Sequence, residues 1–297
     1  MTPNGDARRG ILLAGGSGTR LAPLTNAVSK QLLPVYDKPM LYYPLSTLML
    51  AGIRDLCVIT TPHDRPLFER LLCDGSQWGL RVAFATQAEP RGIAQALLIA
   101  EEWLGGAPVA LALGDNIFHG REIVPDLERA SAARDRATIF ASQVADPAAY
   151  GVLTLDGEKV TDIVEKPAVA PSPWAVTGLY FFPADAPAVA GALNPSARAE
   201  LEITDVNRAY LRRKLLDVVK LGRGVAWYDT GTPESLLEAA ELVRAVETRQ
   251  GFRIGCPEEI AWRGGWIGDD DVRRLAAPLS KTGYGRYLVQ LLDGPRQ

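Results

Sequence analysis

Residues 9–39 read RGILLAGGSGTRLAPLTNAVSKQLLPVYDKP, and this stretch predicts how the N-terminal half of the chain folds. An apolar run at 9–14 is followed at once by GGSG at 15–18, a pattern typical of a buried strand that ends in a tight glycine turn. Because glycine has no β-carbon, backbone N–H groups in such a turn can approach a bound anion closely. Two cations follow, Arg20 and Lys30, and both are suited to phosphate oxygens. The stretch therefore predicts a loop that binds a polyphosphate.

Two common phosphate-binding motifs do not match this loop. The dinucleotide fingerprint G-x-G-x-x-G, placed on Gly16 and Gly18, would need a third glycine at the position of Leu21. A P-loop would need a G-K-[ST] sequence, whereas Lys30 lies well downstream of the glycines. A dehydrogenase would also need an acidic residue at the end of its second strand to bind a ribose, and Thr60 stands there. A dinucleotide-dependent dehydrogenase is therefore disfavoured.

Composition disfavours several further classes of protein. The 297 residues carry a formal net charge of −3, which gives no reason to expect nucleic acid or an anionic membrane as a partner. No apolar run approaches the ~20 residues of a membrane span. Two histidines leave little material for a histidine-rich zinc site or a serine triad. Three cysteines without C-x-x-C spacing argue against a disulfide framework, so we expect a soluble protein of the reducing cytoplasm.

The rest of the chain alternates predicted strands and helices, as parallel βαβ units do. After the strand at 9–14, the predicted strands lie at 55–60, 81–86, 109–113 and 137–144, and the predicted helices at 40–50, 67–72, 93–103 and 122–133. From Tyr150 the pattern changes to shorter β segments with a hairpin turn at residues 156–157. Thr204 is the predicted N-cap of a helix that runs to Arg213. From Thr232 the chain is predicted to be helical.

We therefore expect an α/β fold with a Rossmann-like, mixed but mainly parallel sheet flanked by helices. A single domain would span residues 1–297. Its parts would be a core at 9–145, a small β-rich part at 146–231 and a helical C-terminal part at 232–297.

Polar residues that follow predicted strands are candidates for a binding site, because open α/β sheets place ligands at the carboxyl ends of their strands. Gln87 and Gly92 could read a base, although a polar loop with a helix cap explains them equally well. Asp115 follows the strand at 109–113 and could bind Mg²⁺, which takes one or two carboxylates and completes its shell with phosphate and water. From the sequence alone, a turn-capping aspartate is the better explanation of Asp115. Asp229 comes from another strand end and could be a second ligand.

Together the motifs resemble the signature of sugar-phosphate nucleotidylyltransferases. The matching segments are LAGGSGTRL at 13–21, SKQLLP at 29–34, DKP at 37–39, EKP at 165–167 and DTGT at 229–232. As a combination they are highly specific, and the resemblance runs from about Arg9 to the last predicted helix. It implies a Mg²⁺-dependent enzyme with the fold of nucleotide-diphospho-sugar transferases. Such an enzyme joins a nucleoside triphosphate to a sugar 1-phosphate and releases pyrophosphate.

The resemblance also implies roles for individual residues. The implied catalytic residues are Arg20 and Lys30, which would bind the triphosphate and the leaving pyrophosphate, and Lys166, which would bind the sugar phosphate. The residues implied in nucleotide binding are Gly15, Gly16, Ser17, Gly18, Thr19, Gln87, Gly92 and Asp115. The residues implied in the sugar pocket are Tyr150, Gly151, Glu165, Lys166 and Val176. Mg²⁺ would be held by Asp115 and Asp229. Residues 9–145 would thus be the nucleotide-binding core and 146–231 the sugar-phosphate-binding part.

Within this family the chain looks like the branch that uses dTTP and glucose 1-phosphate and makes dTDP-glucose for deoxysugars such as rhamnose. The absence of a hexapeptide repeat disfavours the ADP-glucose and acetylglucosamine branches, several of which add a β-helix domain. The alternatives are a uridylyltransferase that makes UDP-glucose, since Arg91 lies near the implied base contacts, and a catalytically inactive sugar-nucleotide sensor. The resemblance further implies a homotetramer with an interfacial site near 118–120, Arg223 and 256–260, where the end-product dTDP-sugar would inhibit.

Overall fold

The computed structural model describes residues 7–16 and 18–294, and the implied nucleotide-binding residue Ser17 lies outside them. Within these residues the strands are Arg9–Ala14 (β1), Pro34–Val35 (β2), Lys38–Pro39 (β3), Asp55–Thr60 (β4), Arg81–Thr86 (β5), Val109–Leu113 (β6), Asn116–His119 (β7), Ala137–Gln143 (β8), Gly151–Asp156 (β9), Lys159–Glu165 (β10), Trp174–Phe182 (β11), Leu216–Lys220 (β12) and Ala226–Asp229 (β13).

The α-helices of the same residues are Tyr42–Leu50 (α1), Arg65–Leu72 (α2), Gln95–Ile99 (α3), Glu101–Leu104 (α4), Ile123–Ala132 (α5), Ala186–Gly191 (α6), Ile203–Arg212 (α7), Pro233–Gln250 (α8), Pro257–Arg263 (α9), Asp269–Ala276 (α10) and Gly283–Leu291 (α11). Short 3₁₀ helices lie at Thr19–Leu21, Lys30–Leu32, Ser76–Trp78, Pro147–Ala149 and Ala277–Leu279. No helix in the described ranges combines the length and the apolar character needed to cross a membrane.

A nine-stranded mixed sheet forms the centre of the described structure. Strands β5, β4, β1 and β6 are neighbours in that order and run parallel. Strand β11 joins β6 antiparallel, and it also pairs with β8 and with the β9–β10 hairpin. Strand β12 pairs parallel with β8. The predicted mixed, mainly parallel sheet is confirmed, and α8 to α11 form the expected helical C-terminal region.

The two faces of the sheet bury different helices because successive residues of a strand point to opposite sides. Leu12 of β1 packs in a core that includes residues of α1 and α9. Its neighbour Ile11 packs in a second core that includes residues of α3 and α7. Both side chains are fully buried, which explains why β1 is apolar along most of its length.

The local predictions were accurate for the strands and less so for the helix ends. The strands predicted at 9–14, 55–60, 81–86 and 109–113 are confirmed at both ends. The helix predicted at 93–103 is instead two short helices, α3 and α4, which meet at Ala100, where φ is −90° and ψ is 0°. The N-cap predicted at Thr204 is wrong. Glu202, whose backbone is extended, is the N-cap of α7. Thr204 therefore lies inside the helix, and its hydroxyl is free to contact another segment.

Strand β7 was not predicted, and it determines the geometry of the candidate site. It follows β6 after a two-residue turn and pairs antiparallel with β13, apart from the main sheet. Because β11 pairs with strands of both the core and the β-rich part, the two parts share one sheet. The division of the chain at residues 145 and 231 stays a prediction.

Candidate active site

The two predicted metal ligands are brought together by the pairing of β7 with β13. Asp115 precedes β7, and Asp229 ends β13, where it lies opposite Asn116 in the ladder. The next residue, Thr230, reinforces the pairing, because its backbone N–H (3.1 Å) and its hydroxyl (2.8 Å) both donate to the carbonyl oxygen of Asp115. Two carboxylates that are far apart in the sequence therefore lie at one end of the same ladder.

These carboxylates have different surroundings. Asp115 Oδ2 lies 2.5 Å from Lys30 Nζ, and Asp115 Oδ1 accepts a hydrogen bond from the Asn116 side-chain amide at 2.9 Å. Asp229 accepts no hydrogen bond from any described residue. Burial and the nearby charge of Asp115 raise the pKa of Asp229 to about 6, although Lys30 and Arg20 partly offset this effect. The negative charge on Asp229 is therefore poorly compensated by the protein alone.

This donor set fits Mg²⁺. Both ligands offer carboxylate oxygens, and Mg²⁺ commonly takes one or two carboxylates together with phosphate oxygens and water. The described residues hold no group of three or more histidine, cysteine, aspartate or glutamate side chains placed to bind a metal. A dication shared with a phosphate ligand would compensate the charge on Asp229.

The glycine loop borders a cavity of about 220 Å³. Its lining residues are Gly16, Gly18, Thr19, Arg20, Lys30, Gln31, Asp115 and Gly231. Gly18 has φ +61°, in the left-handed region that favours glycine. A β-carbon at Gly231 would lie 2.9 Å from an Arg20 guanidinium nitrogen, so this glycine lets Arg20 lie directly over the backbone. The predicted phosphate-binding cations Arg20 and Lys30 thus line one cavity together.

A second cavity, of about 620 Å³, adjoins the first. Thr19, Arg20 and Asp115 line both cavities. All five residues predicted for the sugar pocket line the larger cavity, namely Tyr150, Gly151, Glu165, Lys166 and Val176, and Asp229 does so as well. The carboxylate pair therefore lies where a cavity bordered by the glycine loop meets a cavity bordered by the predicted sugar-binding residues.

Glu165 and Lys166 are held in place by neighbouring segments. Glu165 accepts hydrogen bonds from the hydroxyl of Thr204 (2.5 Å) and from the guanidinium of Arg198 (3.3 Å). Lys166 has φ +42°, which is unusual for a residue with a side chain, and its backbone N–H donates to the Tyr150 carbonyl at 2.9 Å. Strained conformations of this kind often occur at functional sites. The Lys166 ammonium stays half-exposed, 3.9 Å from Glu165.

The predicted base contacts form a separate cluster next to the glycine loop. Gln87 is buried and donates its side-chain N–H₂ to Gln95 and to the Gly92 carbonyl. A β-carbon at Gly92, which has φ +99°, would lie 2.4 Å from the carbonyl oxygen of Leu201, so protein packing alone requires glycine there. Gly15, Gln87 and Gly92 do not line either of the two cavities described above. The side chain of Arg91 is exposed and forms an ion pair with Glu89.

Sequence reasoning missed several residues that line or shape these cavities. Thr204 was interpreted as a helix cap, and Arg198 was not noticed, although both hold Glu165. The indole N–H of Trp227 donates to Asn116 at 2.7 Å, and its ring packs edge-on against Tyr150. The only sequence signal for Thr204 and Arg198 was the run of polar residues around the start of α7. Nothing in the local pattern could reveal Trp227, because its position depends on the pairing of β13 with β7.

A mixed sheet with two carboxylates between two cavities suits an enzyme that transfers a nucleotidyl group, and the chain belongs to the nucleotidyl transferase family. The family model described as "Nucleotidyl transferase" matches residues 9–246. The predicted enzyme class is therefore confirmed.

More specific relatives are glucose-1-phosphate thymidylyltransferases. One from Xanthomonas campestris pv. campestris (strain B100) is 56% identical over 285 residues, which is 96% of this chain and 97% of the relative. One from Mycolicibacterium smegmatis (strain ATCC 700084 / mc(2)155) is 56% identical over 286 residues, which is 96% of this chain and 99% of the relative. These relatives confirm the branch of the family that the sequence motifs predicted.

Two solved structures are similar to this chain in fold. A Bacillus anthracis protein described as a glucose-1-phosphate thymidylyltransferase, in complex with sucrose, is 37% identical with a TM-score of 0.75, and the match covers 80% of this chain and 96% of that one. A UDP-glucose pyrophosphorylase in complex with UDP-glucose is 25% identical with a TM-score of 0.69, covering 80% and 98% of the two chains.

Proposed function

We propose that this enzyme joins dTTP and α-D-glucose 1-phosphate to give dTDP-glucose and pyrophosphate, with Mg²⁺ as its metal. The observation that carries the proposal is the position of Asp115 and Asp229 between the cavity of the glycine loop and the cavity that holds Glu165 and Lys166. The names of the relatives support the choice of dTTP and glucose 1-phosphate.

The reaction needs no general base, because the attacking phosphate of the sugar is already an anion. The main barrier is repulsion between this anion and the triphosphate, so positioning and charge neutralisation supply the catalysis. Arg20 and Lys30 would bind the triphosphate and then the leaving pyrophosphate in the smaller cavity. Lys166, whose half-exposed ammonium lines the larger cavity, would bind the attacking phosphate. Bound to Asp115 and Asp229, Mg²⁺ would neutralise charge on the α-phosphate.

The surroundings of these cations suit such roles. Lys30 is only 5% exposed and its ammonium is held by Asp115, so a cation is already in place beside the glycine loop before any ligand binds. Glu165 is held by Thr204 and Arg198 with its carboxylate at the larger cavity, where it can accept hydrogen bonds from sugar hydroxyls. Tyr150, Gly151 and Val176 would shape the same pocket around the sugar ring.

The test is pyrophosphate release by the purified protein with Mg²⁺ and glucose 1-phosphate, using dTTP, UTP, ATP, CTP and GTP separately. We expect dTTP to give the fastest release. A UDP-glucose pyrophosphorylase is the second candidate, favoured by the structural neighbour of that name, and faster release with UTP would support it. No release with any of the five nucleotides would contradict both functions.

The family resemblance also supports proposals about the pathway, the regulation and the assembly of this enzyme. The product would supply a dTDP-deoxysugar pathway such as that of dTDP-rhamnose, and the resulting dTDP-sugar would inhibit the enzyme. We propose a homotetramer, with the inhibitor at an interface near residues 118–120, Arg223 and 256–260. A cytoplasmic location is consistent with the three free cysteines, Cys57, Cys73 and Cys256. Sedimentation as a monomer at micromolar concentration would contradict the assembly.

A further inference from the structure

Two acceptors orient the Gln87 amide, the side-chain oxygen of Gln95, the first residue of α3, and the backbone carbonyl oxygen of Gly92. Gln95 Oε1 accepts a hydrogen bond from the backbone N–H of Arg91 at 3.3 Å. Gln87 Nε2 donates to the same oxygen at 2.7 Å and to the carbonyl oxygen of Gly92 at 3.2 Å. A backbone N–H can only donate and a backbone carbonyl can only accept. These two backbone groups therefore establish which end of each amide is oxygen and which is nitrogen.

This orientation leaves an unpaired acceptor and an unpaired donor in the loop. Among the described residues nothing donates to Gln87 Oε1, and nothing accepts from the backbone N–H of Gly92. A β-carbon at Gly15 would lie 2.9 Å from Gln87 Oε1, so glycine at the start of the phosphate loop keeps the space beside this oxygen open. The loop thus offers one hydrogen-bond acceptor beside the glycine turn and one donor at Gly92, five residues along the chain from Gln87.

Thymine and uracil present the complementary pair, because each carries a ring N–H donor beside a carbonyl oxygen. Cytosine presents the reverse pair, since its ring nitrogen at that position is an acceptor and its exocyclic amino group is a donor. Opposite Gln87 Oε1 and the Gly92 N–H, cytosine would place acceptor against acceptor and donor against donor. Unpaired polar groups of this kind discriminate strongly between similar ligands.

We propose that Gln95 is a positioning residue for base selection, which locks the Gln87 amide with its oxygen toward the nucleotide and so excludes cytosine. Gln95 does not touch the base in this arrangement. It supplies the shorter of the two hydrogen bonds, the other being to the Gly92 carbonyl, that oppose rotation of the Gln87 amide by half a turn, which would present a donor to the base. The inference rests on the proposed function, because it takes the cluster around Gln87 as the base site.

The test compares kcat/KM for dTTP, dUTP and dCTP in the wild type and in three variants. Gln95→Leu removes the acceptor oxygen with little change in side-chain size. If the leucine variant does not fold, Gln95→Met removes the same oxygen with a more flexible side chain. Gln95→Glu is the matched control, because a carboxylate can still accept from Arg91 and from Gln87. Circular dichroism and thermal unfolding establish that each variant is folded.

We expect Gln95→Leu to lower the ratio of kcat/KM for dTTP over dCTP by about tenfold, the effect of roughly one mispaired hydrogen bond. Gln95→Glu should keep the ratio within about twofold of the wild type, on the same scale. The ratio of kcat/KM for dTTP over kcat/KM for dUTP should not change in any variant, because the two bases share the imide edge that Gln87 would contact. A general loosening of the loop would change both ratios.

A folded Gln95→Leu or Gln95→Met variant that keeps the wild-type ratio of dTTP over dCTP would overturn the proposal. So would an equal fall of that ratio in Gln95→Glu. Failure of the proposed function looks different, because the wild type itself would then release no pyrophosphate with dTTP.

Discussion

Replacing Asp229 with asparagine should stabilise the metal-free protein while strongly lowering its turnover. The pKa of this carboxyl is raised from 3.8 to about 6, because burial and the charge of Asp115 disfavour its ionised form. A difference of about two pKa units corresponds to about 3 kcal/mol of folding free energy at a pH where both states are ionised. An asparagine side chain would be nearly isosteric and uncharged, so Asp229→Asn should recover up to about 3 kcal/mol.

The effect should depend on pH in a defined direction. Below about pH 4 the carboxyl is protonated in both the folded and the unfolded chain, so it has no effect on stability. As pH rises through the window from about 4 to about 6, the unfolded chain loses this proton first, and the wild type is destabilised relative to Asp229→Asn. With these pKa values, about half of the difference is present at pH 5 and all of it at pH 8.

The assay is thermal unfolding in EDTA at pH 5 and pH 8. At pH 8 we expect the melting temperature of Asp229→Asn to exceed that of the wild type by about 4–8 °C, with a gap roughly half as large at pH 5. Mg²⁺ with nucleotide should stabilise the wild type more than the variant, because a ligand that binds only the folded state raises stability. Turnover should fall by a factor on the order of 10² or more, as when one charge-stabilising group is lost.

Asp115→Asn is the matched comparison. Like Asp229→Asn, this substitution removes one carboxylate of the pair. Unlike Asp229→Asn, it also removes the ion-pair partner of Lys30, a residue that is only 5% exposed. An unpaired buried cation is costly, so this variant should gain no stability. Equal stabilisation by both substitutions, or a gap for Asp229→Asn that is the same at pH 5 and pH 8, would refute the electrostatic argument.

Three other predictions follow from buried contacts. Lys30→Ala should leave the protein folded but lower kcat by a factor on the order of 10² or more, and near-normal turnover would contradict its role at the triphosphate. Gly92→Ala should destabilise by about 2 kcal/mol or more and raise KM for the nucleotide, because its β-carbon would lie 2.4 Å from Leu201; an unchanged melting temperature would contradict this. Glu247→Ala should cost about 1–3 kcal/mol in urea unfolding, because it removes one of the two carboxylates that pair with the buried Lys38 ammonium and leaves the backbone N–H of Ile254 without its acceptor, and a variant as stable as the wild type would count against it.

Much of the core sheet could be predicted from residue pattern alone. The first and last residues of strands β1, β4, β5 and β6 were predicted correctly, because short apolar runs bounded by glycine and polar turns are typical of buried strands. The glycine loop with Arg20 and Lys30 was also identified from local sequence. The broken helix at Ala100 and the start of α7 were missed, because helix ends depend on backbone angles that residue type only weakly determines.

The candidate site was only partly predictable. Family motifs led to Asp115 and Asp229, but their proximity depends on β7, which has no clear pattern of its own and is formed by pairing with β13. The same pairing places Trp227 against Tyr150 at the larger cavity. Likewise, the contact between Thr204 and Glu165 joins α7 to the end of a hairpin.

The sequence by itself determined the glycine turn and the cations that follow it, because these are local features that follow from residue type and order, and the resemblance to a family added the strand-end carboxylates as candidates. Only the tertiary structure decided which of these groups meet and how each is oriented. Asp229 has a raised pKa because it is buried and Asp115 lies beside it, and the Gln87 amide has one orientation because Gln95 and the Gly92 carbonyl both accept from it. Both effects fall off steeply with distance, so they depend on contacts between segments that local sequence does not encode.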